Sequence, residues 1–241
     1  MAGEGDLVWH YSDGGGLKSM LENRVLWASS AAYMNDFKEL ISGNDVLARS
    51  YEEIKQEFSE SHHEELQRAV TNFSSPREEK FILCGSEDPD SLTLWRFYGR
   101  EQVSFAVGLD RKIDLMARAQ KDLEDHPYPP PGYLDGPRDD DGILEEHPDH
   151  EGQIVEPWAE MIYDREQQAH VISRALNNLS NALREASAEG KKFSFRVYAK
   201  NFALQSQLNR IKDNGFRDER ELRVLAQISP QWKYVLHRPG R

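Results

Sequence analysis

The sequence predicts an α+β fold with a central mixed or antiparallel sheet flanked by helices. Strand-like and helix-like segments are interspersed along the 241 residues without the regular rhythm that builds a parallel sheet. Two strand-like segments near the end of the chain are close enough to form a hairpin turning at a Ser-Pro-Gln sequence. The length fits one large domain, so we expect residues 1–241 to form a single α+β domain.

The predicted strands are short runs rich in aromatic and branched residues, and several alternate apolar with polar positions. They are residues 6–12, 25–30, 80–86, 103–109 and 158–164, a strand or strand-to-helix junction at 192–200, and the hairpin segments 219–229 and 232–237. The apolar run at 80–86 is typical of a strand that is buried on both faces.

The predicted helices repeat apolar residues at close to 3.6-residue spacing. They are residues 17–24, after a glycine loop at 13–16, then a helical region at 31–40, and 44–58, 62–73, 90–99 and 165–188. Ser91 is the expected N-cap of its helix. In the last and longest helix, Val171, Leu176, Leu179 and Leu183 form one apolar stripe.

Composition limits the classes of function. The formal net charge is -12, which disfavours a protein that coats nucleic acid, because displacing counterions requires surplus Lys and Arg. Cys84 is the only cysteine, so no internal disulfide can form and a cytoplasmic location is expected. The N-terminus lacks the pattern of a signal peptide, and no apolar run is long enough for a membrane span.

Residues 125–152 differ from the rest of the chain because proline, glycine and acidic residues dominate them. Such a composition cannot bury enough apolar area to offset the entropy of ordering. We therefore expect an acidic insertion or mobile loop within the single domain.

Glu219 and Glu221 are the first candidates for chemistry. If residues 219–229 form one strand, both carboxylates emerge on one face with their Cα atoms about 7 Å apart, and Leu222 and Val224 anchor the other face. Carboxylates held in this way can bind ribose hydroxyls or stabilise a cationic glycosyl transition state. The alternative is a solvent-facing charged row in which Arg223 pairs with Glu221.

Two further sets are candidates for binding a ligand. His10 lies at a strand end beside Tyr11 and Ser12, where it could hold a sugar or bond to a backbone carbonyl. Trp95 and Tyr98 share one side of a helix and could stack on a base or belong to the core. Asn35 fits either a site or a turn. No metal is expected, because the adjacent His62 and His63 point apart on a helix.

Taken in order, these motifs resemble a bacterial family known as domain of unknown function 2971. That family shows a His-Tyr, an Asn-Asp with a nearby Glu, a Trp with a following Tyr, and a Lys, an aromatic residue and Glu-x-Glu-x-Arg. The matching residues here are His10 and Tyr11; Asn35, Asp36 and Glu39; Trp95 and Tyr98; Lys212, Phe216, Glu219, Glu221 and Arg223.

A second resemblance is to ADP-ribosyltransferases, which have a His on the first strand, a hydroxyl or aromatic region on the second, and a Glu on a late strand. It implies that His10 holds a ribose of NAD, that Glu221 is the catalytic Glu, and that Glu219 helps to activate an acceptor. It leaves Trp27, Ser29 and Tyr33 as candidates for the second-strand role. The implied acceptor is a protein or a nucleic acid, and the implied setting is a toxin or phage-defence system with an antitoxin or defence partner.

Two other functions are consistent with the same residues. The first is a non-catalytic module that senses a ligand or binds a protein, in which these residues hold the core together. The second is a metal-dependent nuclease that uses the clustered acids, although the net charge and the lack of a recognisable metal constellation disfavour it.

Overall fold

A computed structural model describes residues 6–31, 37–55, 60–72, 79–99, 103–117, 153–190 and 195–228. The strands are β1 (Leu7–Asp13), β2 (Ser29–Ser30), β3 (Glu79–Ser86), β4 (Ser104–Asp110), β5 (Gln153–Val155), β6 (Ala159–Glu160) and β7 (Glu221–Ile228). The helices are α1 (Gly14–Asn23), α2 (Phe37–Ile54), α3 (Glu60–Asn72), α4 (Leu92–Gly99), α5 (Arg165–Ala188) and α6 (Phe195–Leu208), with a 3-10 helix at Asn214–Glu219. The predicted α+β class is confirmed.

All of the pairings between these strands are antiparallel, and the sheet runs in the order β4-β1-β3-β7-β5. The central pair is β3 with β7, whose register runs without a break from Glu79 opposite Ile228 to Ser86 opposite Glu221. The short strands β2 and β6 add to β3 and β7 respectively. Sequence-distant strands therefore meet at the middle of the sheet.

The junction between β1 and β3 is much shorter than the others. The two strands pair through Trp9 opposite Ser86, whereas β1 pairs with β4 along its whole length. Beyond Trp9, the strands separate, and β2 pairs with β3 at Phe81 and Ile82 instead. The sheet thus has a split between β1 and β3.

The helical core lies between α2, α3, α5 and α6. Its fully buried members include Leu66, Ile172, Leu176, Leu179 and Leu204. The predicted stripe of α5 is confirmed, since Leu176, Leu179 and Leu183 are buried and Val171 packs against them. Asp164 caps this helix by accepting a hydrogen bond from the Gln167 amide at 2.9 Å.

Several sequence predictions differ from the structure, and one is the predicted strand 158–164, which forms only the two-residue strand β6. Residues 195–200, predicted as strand or junction, begin α6, because packing against α5 decides the conformation of a segment whose pattern is ambiguous. The glycine loop is helical from Gly14, since the Asp13 carboxylate accepts from the Gly16 amide at 2.7 Å and caps the helix. The second strand is reduced to Ser29–Ser30.

The predicted second arm of the terminal hairpin, residues 232–237, and the acidic segment 125–152 lie outside the described residues. Among the helices that are described, none combines the length and the apolar character that crossing a bilayer requires.

Candidate functional site

Four charged residues form a buried ion cluster at the start of β7: Lys212, Glu219, Glu221 and Arg223. The Lys212 ammonium lies 2.6 Å from a Glu219 oxygen and 2.5 Å from Oε2 of Glu221. Arg223 makes a two-pronged contact with Glu221, through Nε at 2.6 Å and a terminal nitrogen at 3.0 Å. Two positive and two negative charges are thus held together away from water.

The backbone that brings the two carboxylates together is not the single strand that the spacing predicts. Glu219 is the last residue of the 3-10 helix, and β7 begins only at Glu221. Arg220 between them is left-handed, with φ 43° and ψ 48°. The prediction of one strand face was therefore wrong for Glu219, but the turn directs both carboxylates to the same Lys212 ammonium.

Hydrogen bonds from two neighbouring elements fix this turn. The buried Ser86 hydroxyl donates to the Glu219 carbonyl at 2.7 Å. The Glu87 amide donates to the Arg220 carbonyl at 3.0 Å, and the Glu221 amide donates to the Tyr163 hydroxyl at 2.9 Å. Burial raises the pKa of Tyr163 to about 12, so its hydroxyl remains neutral and available as an acceptor.

A residue of the long helix α5 fixes the backbone at Lys212. The buried Gln168 side chain donates to the carbonyls of Ile162 and Lys212, at 2.7 and 2.8 Å. Ile162 and Ile211 also form an isolated parallel bridge. The cluster is therefore tied to the helical core as well as to the sheet.

The opposite charges within the cluster determine the protonation states of Glu221 and Lys212. Burial alone would raise the pKa of Glu221, but Arg223 and then Lys212 outweigh it and hold this pKa below its ordinary value. Burial would lower the pKa of Lys212, but Glu221 and Glu219 outweigh that effect and raise it. Glu221 and Lys212 consequently stay ionised across the neutral range.

Exposure distinguishes the two carboxylates. The Glu221 side chain is 7% exposed, whereas that of Glu219 is 16% exposed and lies at the rim. The exposed ring of Phe216 is also at this rim, with its centroid 5.0 Å from the Lys212 ammonium. Any ligand that reaches the cluster from solvent therefore meets Glu219 before Glu221.

The register shows what shares a sheet face with Glu221. Ser86 lies opposite Glu221 and Cys84 opposite Arg223, and facing residues of an antiparallel pair project to the same side. Burial, followed by the nearby Glu221 carboxylate, raises the pKa of the Cys84 thiol. The cysteine is thus a neutral neighbour of the cluster.

His10 lies at the split between β1 and β3. Its Nδ1 is 2.8 Å from the Cys84 carbonyl, and because a carbonyl can only accept, Nδ1 carries the proton. Burial lowers the pKa of His10, which favours the neutral ring. The pairing of Trp9 with Ser86 places Trp9 on the Glu221 face, so alternation assigns His10 to the opposite face.

Tyr11 is on the same face as Glu221 and anchors α4 above it. Its hydroxyl donates to the Asp88 carbonyl at 2.7 Å and accepts from the Ser91 amide at 2.9 Å. Its ring meets that of Trp95 edge to face, with centroids 4.8 Å apart. Trp95 is thus packed against Tyr11, and its indole donates to Asp90 at 2.8 Å.

Tyr98, one turn further along α4, remains 45% exposed. Burial of its hydroxyl, followed by the Glu221 and Glu219 carboxylates, raises its pKa. The hydroxyl end is thus close enough to the cluster to be affected by its charges, while part of the ring faces solvent. The α4 helix and the 3-10 helix that carries Phe216 are in contact.

Ser12 and Ser29, the remaining predicted site residues that the structure describes, do not join the cluster. Ser12 on β1 lies under the first turn of α1, where a Cβ at Gly16 would meet its hydroxyl. Ser29 is exposed on β2, opposite Ile82. Tyr33 and Asn35 lie outside the described residues. Among the described residues, no group of three or more His, Cys, Asp or Glu is arranged to hold a metal ion.

Lys212 and Gln168 are the residues of this site that charge spacing does not reveal. Lys212 lies nine positions before Glu221, too far for the alternation of one strand to relate the two residues. Only the family pattern of a Lys, an aromatic residue and Glu-x-Glu-x-Arg indicates Lys212. Gln168 carries no signal in the sequence, because a glutamine on an amphipathic helix is ordinarily exposed.

Residues 94–224 match the model of a family described as protein of unknown function (DUF2971). This segment is more than half of the 241 residues, and the chain therefore belongs to that family. The match includes α4 from its third residue onward and all four residues of the ion cluster, whereas His10 and Tyr11 precede it. A search of curated proteins and a search of solved structures each find no significant match.

Proposed function

We propose that this member of the DUF2971 family is an ADP-ribosyltransferase-like enzyme that cleaves NAD and transfers ADP-ribose to a protein or a nucleic acid. The observation that carries the proposal is the pair of carboxylates that one lysine holds at the start of β7, with Glu219 at the solvent rim. His10 lies at the split between β1 and β3 but on the opposite face of the sheet from Glu221, so this proposal gives it no contact with the NAD ribose.

The chemistry requires a carboxylate that remains ionised. Departure of neutral nicotinamide breaks the glycosidic C1′–N bond and leaves an oxocarbenium-like cation on the ribose. A nearby carboxylate stabilises that cation and accepts a hydrogen bond from a ribose hydroxyl. The acceptor nucleophile then bonds to C1′ and releases a proton to solvent or to a base. The lowered pKa of Glu221 suits electrostatic stabilisation better than proton transfer.

The two carboxylates have different roles in this proposal because their side chains differ in solvent exposure. In this proposal Glu219 meets the ribose, because its side chain is the more exposed of the two. Glu221 fixes Lys212, which in turn holds the Glu219 carboxylate. The half-exposed rings of Tyr98 and Phe216 provide apolar surface for nicotinamide.

The direct test is NAD consumption by the purified full chain, followed by nicotinamide release. We expect slow turnover that Glu219→Gln and Glu221→Gln each reduce at least tenfold, since both variants keep the shape but remove the charge. Glu22→Gln, at an exposed carboxylate of α1, is the matched control and leaves turnover unchanged. Turnover that is equal in all four proteins would refute the proposal.

The acceptor is tested separately with NAD labelled on the adenylate. Transfer of label to protein or to nucleic acid in a bacterial extract identifies the acceptor class. A defence partner or antitoxin is expected to suppress that transfer when it is co-purified with the chain.

A second candidate is a non-catalytic module that senses a ligand or binds a protein, and one observation favours it. The charges of the cluster balance internally, since two cations face two carboxylates, as in a purely structural ion network. This function predicts no NAD turnover, together with a large loss of thermal stability in Glu221→Gln.

A further inference from the structure

A groove of about 880 Å³ lies between α6 and the connection from β5 to β6. Its walls come from residues 156–160 and from one side of α6, and Arg111 and Lys112 also line it. Sites for small organic ligands occupy about 300–1,000 Å³, so the size suits one nucleotide-sized molecule.

The groove is separate from the ion cluster. Leu222 of β7 contributes to its wall, and consecutive strand residues project to opposite faces, so the groove lies across the sheet from Glu221. Trp158 lies against the same face, because a Cβ added at Gly85 would meet its ring at 3.3 Å. The groove is thus not an extension of the proposed NAD site.

Flat apolar surface makes up much of the wall. The aromatic side chains of Trp158 and Phe202 line it together with the small residues Ala199 and Ala203. The small side chains of Ala199 and Ala203 on α6 leave room for a ring between this helix and Trp158. A planar ligand fits such a space better than a branched one.

Two polar atoms in the wall have no hydrogen-bond partner among the described residues. They are Oε1 of Glu156 and Nε1 of Trp158. The other Glu156 oxygen accepts from the Ser206 hydroxyl at 2.5 Å, which orients the carboxyl group. Because buried polar groups are normally paired, an acceptor and a donor two residues apart indicate a ligand edge that offers one of each.

Cations predominate over acids around the groove, although the whole chain carries a net charge of -12. Arg111, Lys112, Lys200 and Arg210 line it, against the two acids Glu156 and Glu160. The ion pairs of Arg111 and Lys112 are at partly exposed positions, where such pairs are weak and an anionic group can compete for them.

We infer that this groove binds a nucleoside monophosphate. The base lies along Trp158 and Phe202, with its donor and acceptor edge at Glu156 and Trp158 after a small rotation of these side chains. The phosphate lies among the four cations. This site does not depend on the NAD chemistry of the ion cluster.

The test is calorimetric titration of the full chain with adenosine monophosphate. We expect saturable binding, with the dissociation constant raised about tenfold by Trp158→Phe, which removes only the N–H and a ring edge, and about tenfold by Lys200→Gln. Lys18→Gln, at an exposed lysine of α1, should bind like the wild type. Circular dichroism confirms that each variant is folded.

Two comparisons make the test decisive. Glu219→Gln should bind the nucleotide normally, so failure of the proposed NAD chemistry would leave this result intact. Inorganic phosphate alone should bind much more weakly than the nucleotide, since the ring contacts are missing. The inference is overturned by an absence of binding at millimolar nucleotide, by equal affinity for phosphate, or by unchanged binding in both Trp158→Phe and Lys200→Gln.

Discussion

Lys212 Nζ lies 2.5 Å from Oε2 of Glu221, and only 2% of the lysine side chain is exposed. A charge in this position is tolerable only because its partner is there, since removing one member of a buried pair leaves the other without compensation. The first two predictions follow from this contact.

Lys212→Met should lower the free energy of unfolding by about 3–5 kcal/mol, because both Glu219 and Glu221 lose their shared cation. Urea denaturation monitored by circular dichroism measures the change. Lys18→Met, which breaks an exposed pair with Glu22, is the control and should stay within about 0.5 kcal/mol of the wild type. Similar effects of the two substitutions would mean that the cluster does not support the fold.

Acid should destabilise the wild type more than Glu221→Gln. The folded-state pKa of Glu221 is lowered, so its ionisation contributes stability that is present above the unfolded pKa near 4.5 and is lost as pH falls through the lower, folded value. The difference in melting temperature between the two proteins should therefore be constant near neutrality and shrink below about pH 4.5. A gap that does not change between pH 7 and pH 3 would contradict the lowered pKa.

Arg220 carries the turn between the two carboxylates in a left-handed conformation, at φ 43°. Arg220→Gly should stabilise the protein by about 1 kcal/mol, because glycine adopts this conformation without the Cβ clash. Arg220→Val should destabilise it by more than that amount. Arg217→Gly, in the neighbouring 3-10 helix, is the control and should cost about 0.5–1 kcal/mol. A destabilising Arg220→Gly would exclude strain at this turn.

Gly85 allows β1 and Trp158 to approach β3. A Cβ there would lie 2.2 Å from Val8 Cγ1, so Gly85→Ala should cost about 1–3 kcal/mol in thermal unfolding. Gly14→Ala is the matched substitution, because its Cβ would meet Phe105 at an ordinary 3.7 Å. We expect it to change stability by less than about 0.5 kcal/mol. Equal effects at the two glycines would rule out close packing at Gly85.

The sequence correctly predicts those elements in which the spacing of apolar residues matches the side that is buried in the structure. The run at 80–86 and the stripe of α5 are short-range signals that the tertiary structure reinforces. Residues 195–200 show the limit of such signals, because aromatic and branched residues alternate there as in a strand. The buried residues Val197 and Ala199 belong instead to a helix packed on α5.

The convergence of Glu219 and Glu221 was predicted, but from a geometry that the chain does not adopt. Period-two spacing cannot anticipate a left-handed residue at position 220, since arginine rarely takes that conformation. Nor does it reveal Lys212, which the bridge between Ile162 and Ile211 and the side chain of Gln168 hold in place. These contacts join residues more than forty positions apart, which local patterns do not encode.

The split beside β1 affects how the sheet tolerates mutation. Backbone ladders survive most substitutions, because every residue except proline supplies the same amide and carbonyl. Where β1 leaves β3, the connection depends instead on the ring of His10 and the hydroxyl of Tyr11. A single substitution can remove either contact, so beyond the pair Trp9 and Ser86 the attachment of β1 and β4 to the rest of the sheet depends on side-chain identity.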